Sequence, residues 1–153
     1  VPRKSSTDIT ELENYFSQLS ELSKKELEYG FYDEKHYSGL NMATLAAIHE
    51  QGWNDLPERN FMYSTAIHFQ EGLAKHIKRM HDGIIQGRGF TKYLDKIGKD
   101  AADSIRFTIE MGTFSNPKVS KDWASVKGFD DALVHYGDLS SAATFRIVKY
   151  QGK

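Results

Sequence analysis

The sequence predicts an α+β domain, in which a small, mainly antiparallel sheet packs against a long helical hairpin and an N-terminal helix. Three observations carry this. Apolar residues Met62, Ala66, Phe69, Leu73, Ile77, Met80 and Ile84 recur at steps of three and four, the period of one helix face. A second such series, Phe90, Leu94, Ile97, Ala101, Ile105 and Ile109, follows after Gly87-Arg88-Gly89. Near the two ends of the chain, 26–32 and 143–150 are β-branched or aromatic and read as strands.

Residues 1–7 read as a mobile basic arm without the apolar core of a secretory signal, and 8–153 as the single domain. Asp8 with Glu11 fits a helix N-cap and its capping-box partner. Ile9, Leu12, Phe16, Leu19 and Leu22 then form one stripe of a helix over 8–24, with Lys24 and Lys25 suited to its C-terminal dipole. In 26–32, Leu27, Tyr29 and Phe31 alternate with Glu26, Glu28 and Gly30, the pattern of a half-buried strand. A polar loop, 33–39, leads to Asn41, a cap for a short helix over 42–51. Ala43, Ala46 and Ala47 let another element approach that helix closely, and Gly52 suits its C-terminal stop.

Residues 53–59 cannot be regular, because Leu56 before Pro57 is biased to extended backbone. The helix over 61–85 follows, and the glycine turn makes it the first arm of an αα-hairpin whose second arm, 89–111, is interrupted mildly at Gly98. Each arm has a narrow apolar stripe and needs a further partner, expected to be the sheet. Residues 113–118 read as a loop and 123–126 as a helical turn anchored by Trp123, while 128–131 reads as a turn before the last strand.

Composition bounds the function. The chain has 153 residues, 39% of them hydrophobic and 27% charged, as in a one-domain globular protein. The net charge of −1 supplies no global basic field for nucleic acid. The absence of cysteine excludes disulfides, thiolate metal sites and thiol nucleophiles. No apolar run approaches the roughly 18 residues of a membrane span.

Motifs for chemistry are sparse. His49-Glu50 opens a zinc-protease pattern, but Trp53 stands where its second histidine belongs. His68 and His76 lie about two turns apart without a third ligand, and His76 and His81 share a face poorly. Gly87-Arg88-Gly89 is too short to cradle a phosphate, and no Gly-x-Ser-x-Gly elbow exists. Lys75, His76, Lys78 and Arg79 form a local basic run that reads as a solvated helix face, with nucleic acid or an acidic protein surface as the alternative. No catalytic, cofactor-binding or metal-ligating residue is assigned.

Two stretches carry a resemblance. The first is Ala46-Ala47-Ile48-His49-Glu50-Gln51-Gly52 followed by Leu56-Pro57-Glu58-Arg59-Asn60-Phe61. The second is Lys127-Gly128 followed by Ala132-Leu133-Val134-His135-Tyr136-Gly137-Asp138-Leu139-Ser140-Ser141-Ala142. Together, in this order, they resemble the corner and the last-strand approach of the tail-completion, or head–tail joining, proteins of tailed bacteriophages, over about 25–150. Ala132, His135-Tyr136, Ala142 and Asn60 depart from the family's usual residues. The resemblance implies a virion structural protein of the neck: a ring, expected to be a hexamer, between head connector or adaptor proteins and tail tube or terminator proteins. DNA would pass through its lumen without sequence reading, and the function would be assembly without catalysis or cofactor. The residues of this corner and turn are Gly52, Pro57, Arg59, Phe61, Gly137 and Leu139, as scaffold or as interface. Alternatives are a tail terminator or head-side adaptor ring, a small nucleic-acid-binding module, or a hydrolase.

Overall fold

A computed structural model of the chain describes residues 6–36, 38–54, 56–111, 121 and 137–152. The loop expected at 113–118, the turn around Trp123, and 127–136 of the second stretch lie outside the described residues, as do residues 1–5 of the arm. The described elements run α1 (Ser6–Ser23), β1 (Lys25–Gly30), α2 (Met42–Gln51), α3 (Phe61–Ile85), α4 (Thr91–Glu110), α5 (Asp138–Ala142) and β2 (Thr144–Lys149). The architecture is α+β. β1 and β2, the first and last strands, pair antiparallel from Lys25↔Lys149 to Gly30↔Thr144.

α4 is the central element. Every member of its predicted stripe is buried, from Phe90 to Ile109, because one face of the helix serves two cores. Ile105 and Ile109 join Ala46, Phe61, Leu139 and Ala143, while Leu94 and Ile97 join Met80, Ile84 and Phe90. The same helix lies on the sheet through Gly98. A Cβ on Gly98 would stand 2.1 Å from the Phe145 ring of β2, so the residue that interrupts the helical pattern is the one that admits the strand. Gly83 of α3 makes the same allowance for Tyr93 of α4, where a Cβ would lie 2.2 Å from the ring. Arg106 fixes the end of this contact by donating from Nη2 to the Ala143 carbonyl at 2.5 Å.

α3 has the predicted bounds, 25 residues and about 37 Å of rise. Its cover is thinner than its periodicity suggests. Phe61, Thr65, Met80, Gly83 and Ile84 are buried, Met62, Ala66, Phe69 and Leu73 are half-buried, and Ile77 is 49% exposed. The sheet reaches α3 only from the β1 side, and a groove of about 400 Å³ lined by Leu27, Tyr29, Phe69, Leu73 and Ile77 runs between them.

α1 departs further from expectation. It starts at Ser6, so Asp8 lies in the first turn and not at the cap. An acid there still suits the positive end of the helix dipole. Leu19, Leu22 and Tyr15 pack on the second core, and the Tyr15 hydroxyl meets His81 Nε2 at 3.0 Å. The N-terminal half of the stripe does not pack: Ile9, Leu12 and Phe16 are 50%, 52% and 59% exposed. The reason is positional. The middle of α1 crosses α3 at His81 near the tip of the hairpin, and nothing among the described residues covers what lies before it.

The predicted first strand is shorter than 26–32, because Gly30 takes φ 147 and turns the chain out of the ladder. Phe31 then seats edge-on against Phe61, with ring centroids 6.1 Å apart. No described helix is long and apolar enough to cross a membrane.

Candidate functional site

The corner is built by exchange between two helices. Asn41 opens α2, its side-chain oxygen accepting from the Thr44 amide at 2.7 Å. α2 ends at Gly52, whose φ of 74 and ψ of 160 turn the chain back on itself. A Cβ on Gly52 would meet the Leu56 carbonyl oxygen at 2.8 Å and the Glu58 amide nitrogen at 2.9 Å. Trp53 and Leu56 exchange both backbone hydrogen bonds, at 3.1 and 2.9 Å, so the loop folds over Gly52. Pro57 sits in this fold-back, four residues before the start of α3. It stiffens the corner from within the loop and does not open the helix.

The chain then returns to α2. The Arg59 amide donates to the His49 carbonyl at 3.1 Å and the Asn60 amide to the Glu50 carbonyl at 3.3 Å. These carbonyls belong to the last turn of α2, which has no intrahelical donors for them. The debt is returned at the start of α3. Asn60, at φ 47, makes no side-chain cap. Glu50 caps α3 instead: Oε2 accepts from the Met62 amide at 2.7 Å and Oε1 from the Tyr63 amide at 3.0 Å. A carboxylate spanning two N-terminal amides is favoured by charge-assisted hydrogen bonding and by the helix dipole. The first turn of α3, Phe61-Met62-Tyr63-Ser64, has no acid of its own. The lack of an acid in that turn is the only trace of this in the sequence; that Asn60, a favoured capping residue, is left-handed and does not cap is seen only in the structure.

Glu50→Gln keeps the shape of the cap and removes its charge. The expected result is a loss of about 1–2 kcal/mol in folding free energy, with Glu50→Ala costing more, because both amides then lose their acceptor. Urea denaturation of the two variants measures it. An unchanged midpoint in Glu50→Ala would exclude Glu50 as the cap.

The second stretch closes on the same place. Gly137, at φ 75 and ψ 5, precedes α5 in the left-handed conformation. It turns Leu139 into the core, where Leu139 is 3% exposed and shares a cluster with Ala46 and Phe61. Ser140, also buried, donates from Oγ to Glu110 Oε1 at 2.7 Å and ties α5 to the end of α4. Asp138 reaches the other way, its Oδ2 lying 3.5 Å from Nε2 of the buried His36. Nδ1 of the same ring lies 2.7 Å from the Ser38 hydroxyl. The ring thereby joins the loop before α2 to α5.

Of the six residues singled out in the sequence, Phe61 and Leu139 therefore meet in one core. Arg59 is buried beside it, and burial pushes its guanidinium below its usual range. Gly52 and Pro57 shape the loop, and Gly137 starts α5 with open space where a side chain would stand. Glu50 and Ser140 stood in the two stretches without a role assigned and His36 was not singled out; only the role of Glu50 left a trace in the sequence.

The groups considered for chemistry are dispersed. His68 and His76 line a cleft of about 580 Å³ between α3 and α4. His76 stacks on Phe69 at 6.0 Å and lies 3.8 Å from Asp100. Among the described residues no three His, Asp or Glu side chains are grouped to hold a metal ion. The basic run is partly neutralised along its own helix, since Lys78 pairs with Asp82 at 2.7 Å. That pair lowers the Asp82 carboxyl below its usual value, first through the hydrogen bond from Lys78. Comparison with protein-family profiles, curated proteins and solved structures finds no match.

Proposed function

We propose that the chain is a structural subunit of the neck of a tailed bacteriophage, a ring protein that completes or joins the tail at the head–tail interface. One observation carries the reading beyond the resemblance itself. The two stretches that bear the resemblance are about 65 residues apart in sequence, yet Ala46 and Phe61 of the first and Leu139 of the second lie in one buried cluster. Residues that specify a shared fold behave this way. The family-like positions hold the subunit's shape and leave its outer surface to specify partners.

That outer surface supports assembly as the activity. Ile9, Leu12, Phe16, Ile67, Ile77, Phe107 and Met111 are each at least 43% exposed. Exposed apolar side chains distributed along helices suit contact with other proteins. In this reading the subunits close a ring, a hexamer in the family's pattern, by heterologous contacts. The ring's ends dock head connector or adaptor proteins on one side and tail tube or terminator proteins on the other. DNA passes the lumen, and a net charge of −1 suits passage better than retention. The ring would be assembled in the host cytoplasm and carried in the virion.

Negative-stain microscopy of the purified chain, alone and mixed with tail tubes, tests the proposal. Rings, or rings capping tube ends, are the expected result. A monomer that caps no tube and decorates no connector would sink it. Arg59→Ala belongs to the same test. Because Arg59 is buried, the substitution is expected to lower folding stability by about 1–3 kcal/mol, with any loss of rings following from that loss. A variant that keeps its urea midpoint and loses only assembly would make the corner an interface.

A further inference from the structure

We infer that the N-terminal half of α1 is an arm that docks into the groove between α3 and β1 of a second copy of this chain. The inference rests on the ring reading and names the contact that would close the ring. Ile9, Leu12 and Phe16, at steps of three and four, form a stripe on the part of α1 that nothing covers among the described residues. The helix is continuous from Ser6 to Ser23, and its middle is pinned at the hairpin tip by the Tyr15–His81 hydrogen bond. A rigid helix held there cannot fold back into the groove of its own subunit. No described residue of its own subunit covers the stripe, which leaves it open to another molecule.

The groove has the matching character. It is apolar along Leu27, Phe69, Leu73 and Ile77, and its 400 Å³ accommodates the side chains of Leu12 and Phe16. Charge points the same way. The N-terminal half of α1 carries Glu11 and Glu13 and no lysine or arginine, while Glu21 near its other end is paired with Lys24. On the sheet, Lys25 and Lys149 stand directly opposite each other in the β1–β2 register, on the face that Leu27 and Ile147 share. Like charges in that position repel, and neither lysine makes an ion pair among the described residues. Glu11 and Glu13 of one copy complement Lys25 and Lys149 of another, and that pairing joins arm to groove. That pairing is heterologous, and repeated around an axis it closes a ring.

The chain contains no cysteine, so disulfide trapping reads the contact directly. Leu12→Cys and Ile77→Cys both alter exposed positions and are expected to fold normally, checked by circular dichroism. Mixing the two single variants under mild oxidation is expected to give a heterodimer, and the double variant a ladder of covalent multimers. Glu11→Lys with Glu13→Lys in the arm lowers the heterodimer yield about tenfold. Lys25→Glu with Lys149→Glu in the Ile77→Cys chain restores it. Leu12→Cys crosslinking to itself as readily as to Ile77→Cys would overturn the proposal in favour of a symmetric pairing of arms. No heterodimer from preparations that show rings by microscopy would overturn the arm contact and leave the ring reading standing. No heterodimer and no ring, alone or with tail tubes, would remove both.

Discussion

Phe61→Ala is expected to cost about 3–5 kcal/mol of folding free energy, the range for deleting a fully enclosed aromatic ring. Phe61 has no exposed surface. It is the first residue of α3, and its ring is enclosed by Ala46 of α2, Ile105 and Ile109 of α4, Leu139 of α5 and Ala143. Phe31 completes the enclosure from the chain leaving β1. The cavity would border α2, α4 and α5 at once, so relaxation of any one of them cannot fill it. Domains of this kind are held by about 5–15 kcal/mol in total. The variant should therefore unfold at a much lower urea concentration, and binding of a hydrophobic dye would report any loosened state. A loss below about 1 kcal/mol would mean that the corner does not organise the core.

Gly52→Ala is the second large effect, and Gly137→Ala is its internal control. Both glycines have positive φ, 74 and 75, so an L side chain is strained at either. That strain alone is worth roughly 1–2 kcal/mol per residue. At Gly137 nothing lies within 4 Å of the added Cβ, so strain is the whole cost. At Gly52 the methyl would also collide with the Leu56 carbonyl and the Glu58 amide, which are backbone atoms of the fold-back and cannot rotate away. Opening that loop also pulls on the Arg59 and Asn60 amides and so on the joint between α2 and α3. The expected loss at Gly52 is at least twice that at Gly137, roughly 3 kcal/mol against 1–2. Thermal or urea unfolding of the pair decides it, and equal losses would show that the fold-back yields.

Much of the scaffold was legible in the sequence because the relevant signals are local. The bounds of α3 follow from an unbroken apolar period and from the glycine turn after it. Every residue of the α4 stripe is buried as the spacing required, and Asn41 caps α2 as its chemistry allows. The strands near the two chain ends were legible as strands. Their pairing and register were not, because a period of two identifies a face and says nothing of the neighbour.

The candidate site was legible only in part, for the same reason. Gly52, Phe61, Gly137 and Leu139 could be singled out as shape-setting positions. That Phe61 and Leu139 would touch depends on how α2, α4 and α5 pack. Glu50 was weighed in the sequence as part of a failed metal motif and as one residue of the first family-like stretch, with no capping role in either. Its cap on α3 acts from another helix, across 12 residues, and no local pattern encodes that partner. Gly98 reads in sequence as a weak point of a helix, and only the arriving Phe145 ring explains why a larger residue cannot stand there.

The sequence by itself determined the fold class, the helical hairpin and the positions where the backbone must turn, because propensity and periodicity are properties of neighbouring residues. The tertiary structure alone decided which apolar faces find a partner. The stripes of α1 and α4 have the same period, yet α4 lies between the sheet and α3 and its stripe is buried along its length. α1 crosses the hairpin at its tip, so its first half extends past the packed core with Ile9, Leu12 and Phe16 uncovered. Periodicity specifies an apolar face, and only packing geometry determines what that face meets.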